Sequence, residues 1–101
     1  MGLKEQIIKN IKNNRVMLFM KGTKNLPMCG FSATIVKILD LYNIEYEVTN
    51  VLEDPNIRIE LSKYSNWPTI PQLFVDGDLI GGCDIAIELH NSEQLSKILL
   101  K

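Results

Sequence analysis

Five consecutive apolar residues, Val16-Met17-Leu18-Phe19-Met20, constrain the possible folds of this chain more than any other feature. Successive side chains of a strand point to opposite faces, so an unbroken apolar run describes a strand covered on both sides. The run is far too short to span a bilayer. Helices are the natural cover, and amphipathic stretches flank it. Leu3, Ile7, Ile8 and Ile11 recur at helical spacing before it. After it, Phe31, Ile35, Ile38, Leu39 and Tyr42 predict a helix from about Gly30 to Tyr42.

The rest of the chain continues the alternation. Gly22 to Pro27 reads as a loop, and Glu45 to Val51 as a second strand in which Tyr46 and Val48 alternate with charged neighbours. Asp54-Pro55 is a strong helix start, because Asp accepts from orphan N–H groups and Pro lacks a donor the first turn cannot use. Ile57, Leu61 and Tyr64 supply that helix with its apolar face. Trp67-Pro68-Thr69-Ile70-Pro71 breaks it and feeds a third strand, Gln72 to Val75. The Asp76-Gly77-Asp78 turn predicts an antiparallel hairpin with Leu79 and Ile80. Gly81-Gly82 ends the fourth strand, Cys83-Asp84 opens a short helix, and a last helix is expected from near Asn91, with Leu95, Ile98 and Leu99 inward. The order α-β-α-β-α-β-β-α-α predicts an α/β fold: a mixed four-stranded sheet flanked by about five helices, in a single domain over residues 1–101.

Composition excludes several function classes. Hydrophobic residues make up 46% and charged residues 23%, which suits an ordinary globular protein. Eleven basic residues, scattered along the chain, face twelve acidic ones, which leaves no nucleic-acid footprint. No stretch suggests a membrane span. Two cysteines 54 positions apart are too few for a secreted disulfide framework and suit a reducing compartment. Met1-Gly2-Leu3-Lys4-Glu5 lacks the apolar stretch of a signal peptide, and Gln6 stands where a myristoylation site wants Ser or Thr. A cytoplasmic location is expected, or an organelle matrix if a presequence has been removed.

The chemistry concentrates at Pro27-Met28-Cys29-Gly30-Phe31-Ser32. Cys29 falls at the start of the expected helix, facing its unpaired N–H groups and positive dipole end, which favour thiolate over thiol. Ser32 stands where a Cys-x-x-Cys motif has its second sulfur, so the partner of Cys29 must come from outside the motif: another thiol, a second chain or a metal. The alternative is a buried cysteine acting as a small hydrophobe. Lys21 closes the first strand beside this loop, and either lowers the thiol pKa or anchors a ligand carboxylate, or simply solubilises a strand end.

Thr69-Ile70-Pro71 offers a second constellation. A cis bond there would turn the Ile70 backbone outward, towards an extended peptide, although the residues alone favour an ordinary trans proline. Gly81-Gly82-Cys83-Asp84 is a candidate polar pocket: glycine permits close backbone approach, and Asp84 can bind an ammonium as well as stabilise its helix. For Cys83 itself, packing inside is the stronger expectation. Arg58, one turn into the third helix, either reaches a carboxylate or, taken alone, is a solvated helix residue. His90 is the only histidine and reads as a surface or helix-end residue, which removes triad and zinc schemes.

Together Lys21-Gly22-Thr23, Pro27 to Ser32, Trp67-Pro68-Thr69-Ile70-Pro71-Gln72-Leu73 and Gly81 to Ile85 resemble the monothiol glutaredoxins of the Cys-Gly-Phe-Ser class, over essentially the whole chain. The likeness is to the short single-domain members, with no thioredoxin-like extension ahead of the domain. The resemblance implies a thioredoxin-like (glutaredoxin) fold and glutathione as cofactor. It implies that Lys21 and Arg58 hold the glycine carboxylate of glutathione, that Ile70, between Thr69 and a cis Pro71, pairs its backbone with the cysteinyl part, that Cys83 and Asp84, after Gly82, bind the γ-glutamyl end, and that Cys29 faces the glutathione sulfur. Lys24 departs from the proline many members carry, which predicts a more mobile loop beside the site. Ile70 replaces an aromatic found in some members.

The family binds a [2Fe–2S] cluster between two protomers. Such a cluster takes four thiolates. Two Cys29 thiolates and two glutathiones supply four, in a homodimer able to pass the cluster to apo iron–sulfur client proteins. Two alternatives stand beside this reading. One is glutathione-dependent thiol–disulfide exchange through Cys29, which class members perform weakly; the other is a redox-inert module using the Trp67–Pro71 groove for partners such as BolA-like proteins.

Overall fold

The computed structural model describes residues 2–100; Met1 and Lys101, the ends of the expected domain, lie outside them. Strand β1 (Val16–Met20) is buried at every position, and its side chains divide by parity. Val16, Leu18 and Met20 enter one apolar cluster, Met17 and Phe19 the other. The first cluster draws on α2 (Gly30–Leu41), α4 (Cys83–Asn91) and α5 (Gln94–Leu99), the second on α1 (Leu3–Asn13) and α3 (Pro55–Ser65). Helices therefore cover both faces of the sheet, as the unbroken apolar run requires.

The remaining strands are β2 (Glu47–Asn50), β3 (Gln72–Val75) and β4 (Asp78–Gly81), in the order β2-β1-β3-β4. β2 runs parallel to β1, pairing Leu18 with Val48, whereas β3 runs antiparallel to β1, pairing Leu18 with Leu73. The β3–β4 hairpin closes through Asp76 and Gly77, with φ +53° and +84°, the two positive values of a type I′ turn. This is the mixed four-stranded sheet with five helices that the residue pattern predicts, a thioredoxin-like fold. Across the second cluster Phe19 and Phe74 meet edge to face, with ring centroids 5.7 Å apart. No helix among the described residues is long and apolar enough to cross a membrane.

Several expectations need correction. Phe31 and Tyr64, assigned to apolar helix faces, are exposed, Phe31 to 61%. The second strand is shorter than Glu45–Val51: Val51 turns into a short 3₁₀ segment, Val51–Glu53. The last helix begins at Gln94 because α4 continues to Asn91 and the turn is made by Ser92 and Glu93, the latter with φ +66°. The Ile70–Pro71 bond is cis, the form that the residues alone do not favour and that the family resemblance implies. The intrinsic trans preference of an X-Pro bond is only about 0.5–1 kcal/mol, so tertiary contacts decide the isomer and the dipeptide does not reveal it.

Candidate functional site

The loop between β1 and α2 sets the thiol in place. Gly22, with φ +95°, reverses the chain, and a side-chain carbon there would stand 2.7 Å from Met28 N, so only glycine closes this turn. The Met28 N–H donates to Lys21 O at 2.8 Å, and Thr23 and Leu26 exchange a pair of backbone bonds at 3.1 and 3.2 Å. Gly22 N–H donates to Asn50 Oδ1 at 2.9 Å, which ties the loop to the end of β2. Lys24, where the resemblance departs from proline, donates through its Nζ to Tyr46 O at 2.5 Å and lies 4.0 Å from the centre of the Tyr46 ring. Tyr46 donates in turn to Asp40 Oδ1 at 3.1 Å, and burial beside that carboxylate pushes its pKa up to about 12.

Cys29 is the N-cap residue of α2, half-buried, in extended backbone. Its thiol pKa is lowered, chiefly by the backbone N–H of Ser32, against an opposing effect of burial. The Phe31 N–H, the Lys21 ammonium and the Ser32 hydroxyl add to the lowering. This is the environment expected of a thiol at a helix N-terminus. Ser32 is fully buried, and its hydroxyl accepts from the Lys21 N–H at 3.2 Å. Beside the thiol, a side-chain carbon at Gly30 would meet nothing within 4 Å.

Cys83 presents the opposite case. It opens α4, is buried within the first apolar cluster, and has its thiol pKa raised by burial, then by the Asp84 carboxylate and by Cys29, against a lowering contact with the Thr34 hydroxyl. Both sulfurs are free.

These elements meet around one cavity of about 480 Å³, within the range of roughly 300–1,000 Å³ common for small-ligand sites. Lys21 and Cys29 line it from the β1–α2 loop, Arg58 from α3, Thr69, Ile70 and Pro71 from the loop before β3, and Gly82, Cys83 and Asp84 from the β4–α4 turn. All nine candidate residues thus share one cavity. Among the described residues, Lys21, Arg58 and Asp84 form no ion pair, so two cations and one anion are left for a ligand. A side-chain carbon at Gly82 would stand 3.2 Å from Pro71 O and 3.7 Å from Trp67 Nε1, so this glycine serves contact between two protein walls. Phe31, Trp67 and Ile85 complete the lining. Phe31 and Trp67 lie inside the Pro27–Ser32 and Trp67–Leu73 motifs, and that position is the sequence signal for their place in the lining. His90 lies away from this cavity, in the last turn of α4, with its Nδ1 2.6 Å from the Tyr42 hydroxyl.

Comparison with known proteins gives one answer. The Glutaredoxin family model matches residues 16–80. "Probable monothiol glutaredoxin 2" of Rickettsia felis is 54% identical over 95 residues, which is 94% of this chain and 91% of the relative. The solution structure of reduced poplar apo GrxS14 superposes with a TM-score of 0.84 at 47% identity, covering 95% of this chain and 88% of that one. A buckwheat glutaredoxin–glutathione complex shares the fold, with a TM-score of 0.86 at 23% identity and coverage of 97% and 87%. With an anion-favouring thiol at the head of α2, the four-stranded order β2-β1-β3-β4 and these matches, the chain belongs to the glutaredoxin family.

Proposed function

We propose that this chain is a monothiol glutaredoxin of the Cys-Gly-Phe-Ser class that binds glutathione and carries a [2Fe–2S] cluster to apo iron–sulfur proteins. The carrying observation is that its anion-favouring thiol stands alone. Ser32 occupies the place of a second motif sulfur, and Cys83 is buried with its thiol proton favoured.

The donor set fits glutathione. Its two carboxylates and ammonium match the unpaired cations Lys21 and Arg58 and the unpaired anion Asp84. The Ile70 N–H and C=O form no backbone hydrogen bond among the described residues, which suits pairing with an extended tripeptide. Lys21 and Arg58 are assigned to the glycine carboxylate, Ile70 to the cysteinyl backbone between Thr69 and Pro71, and Cys83 and Asp84 after Gly82 to the γ-glutamyl end. That a glutaredoxin of the same fold has been solved with glutathione supports glutathione as the ligand.

The cluster is cargo. Four thiolates are required, and no group of three or more His, Cys, Asp or Glu side chains able to hold a metal occurs among the described residues. One chain is therefore an incomplete ligand set, and two Cys29 thiolates with two glutathione thiolates complete it in a homodimer. Exchangeable ligands make release easy, which suits transfer. BolA-like proteins and a reducing, cytoplasmic setting belong to the same proposal.

Anaerobic reconstitution with iron, sulfide and glutathione, followed by visible absorption and sizing, tests it. A coloured, glutathione-dependent dimer is expected, with colour and dimer both lost in Cys29→Ser. A colourless monomer from the wild-type chain would sink the carrier reading.

The lowered Cys29 pKa also favours a second reading, exchange on glutathionylated proteins. Cys29 thiolate attacks the glutathione sulfur of the mixed disulfide and expels the protein thiolate. A second glutathione thiolate then attacks that sulfur, forming glutathione disulfide and returning Cys29 thiolate. Turnover on a glutathionylated peptide, compared with that of a dithiol glutaredoxin, measures it; matching rates would promote this reading over the carrier.

A further inference from the structure

Gln72 is a polar residue in a strand that is otherwise Leu73-Phe74-Val75, and it is fully buried. Its side-chain Nε2 reaches back over the preceding loop and donates to Trp67 O at 2.9 Å and Thr69 O at 3.1 Å. Its Oε1 is buried with no hydrogen-bond partner among the described residues. A buried unsatisfied acceptor is a cost that an apolar side chain at this position would avoid. The residue is thus poorly explained as core filling, and its useful contribution lies in the two bonds it makes to the loop.

Those bonds stand nearly alone. For residues 67–70, the only other main-chain hydrogen bond among the described residues is from Trp67 N–H to Ser65 Oγ, at 3.2 Å. Pro68 has no N–H to offer. The Ile70 side chain is buried in the second apolar cluster, on the face covered by α1 and α3, yet Ile70 also lines the ligand cavity. The loop is therefore anchored at three successive points: the Trp67 carbonyl, the Thr69 carbonyl and the Ile70 side chain. What remains unbonded is the Ile70 N–H and C=O pair.

We propose that Gln72 is a positioning residue of the ligand site: its amide holds the Trp67–Ile70 main chain in the shape that offers the Ile70 N–H and C=O to an extended peptide ligand. The ligand named here rests on the glutathione reading above. Gln72 itself does not line the cavity and acts through Ile70.

Trp67 is the only tryptophan, its carbonyl is one of the two that Gln72 holds, and it lines the cavity, so its emission reports loop shape and ligand in one signal. The experiment compares wild type with Gln72→Met, which keeps length and removes the donors, and Gln72→Asn, whose shorter amide cannot span both carbonyls. Each is checked for folding by far-UV circular dichroism, titrated with reduced glutathione by calorimetry, and followed by Trp67 fluorescence. The pH profile of Cys29 alkylation is recorded in parallel.

Both variants are expected to bind glutathione about tenfold more weakly, the loss on the order of one to two hydrogen bonds. Their ligand-free Trp67 emission should shift to the red, while the Cys29 profile stays in place, because its causes lie at Lys21, Phe31 and Ser32. Affinity within twofold of wild type in a folded variant overturns the proposal, and so does a Cys29 profile that moves with affinity. Should wild type fail to bind glutathione, the ligand reading falls. The emission then decides Gln72 separately: a shifted band upholds its hold on the loop and an unchanged band refutes it.

Discussion

Ser32 combines two tasks that suit a small buried hydroxyl. As an acceptor it satisfies the Lys21 N–H where β1 ends, and through its own backbone N–H it contributes the largest share of the Cys29 shift. Its hydroxyl contributes the smallest. Ser32→Ala keeps the backbone effect and strands the Lys21 donor, so stability should fall by about 1–2 kcal/mol while the thiol pKa rises only slightly. Urea unfolding and alkylation rates against pH check both halves; a thiol restored to its ordinary value at unchanged stability contradicts the assignment. The two cysteines should also separate by titration. A lowered pKa means more thiolate at neutral pH, so alkylation of Cys29 in Cys83→Ser should reach half its plateau below the ordinary thiol value. For Cys83 in Cys29→Ser, burial and the Asp84 carboxylate act in the other direction, so its half-point should lie above that value. The same order in both variants would refute the environments assigned to them.

At the scale of elements, patterns held where a single physical requirement governs them. β1 matches its apolar run and β3 its expected range, Gln72–Val75, to the residue, since both strands are buried along their length. Asp54 accepts from Asn56 N–H at 2.9 Å at the head of α3, with Pro55 at its first position. Patterns failed where another contact decides. Phe31 keeps helical spacing yet faces outward, because the head of α2 borders the cavity instead of the core. Lys21, Ile70 and Asp84 of the shared cavity stand in linked motifs, whereas Arg58 and the cis form of the Ile70–Pro71 bond were legible only through the family resemblance, and the reach of Gln72, set across the fold, was not legible at all. The β1–α2 loop depends on Gly22 in the same non-local way. Gly22→Ala forces a left-handed conformation on alanine and presses its methyl against the Met28 main chain, so a loss of about 1–3 kcal/mol is expected. Glutathione affinity should fall with it, since Lys21 and Cys29 bracket this turn. Thermal unfolding and calorimetry measure the two effects, and an alanine variant equal to wild type in both would show that the turn has slack.

Across the whole molecule, stability and site chemistry sit at opposite ends of β1. Arg15, just before the strand, donates through its two terminal nitrogens to Leu99 O at 2.6 Å and Ile98 O at 2.8 Å, while its Nε lies 3.3 Å from Asp76 Oδ1. Asp76 N–H donates back to Arg15 O at 2.7 Å. One side chain thereby ties the last turn of α5 and the β3–β4 turn to the central strand, supplying acceptor-rich helix carbonyls with the cation they favour. Lys21, the first site residue, follows six positions later, or roughly 20 Å along an extended strand. Arg15→Ala should therefore cost about 1–3 kcal/mol and lower Tm by several degrees, because the carbonyls lose charge-assisted partners. Arg15→Lys should recover little, since an ammonium cannot reproduce the forked contact with two carbonyls and a carboxylate. Glutathione affinity and the Cys29 pH profile should stay unchanged in both. If either moved with Tm, the two ends of the strand would be coupled through the sheet, and the separation of scaffold from site argued from these contacts would be wrong.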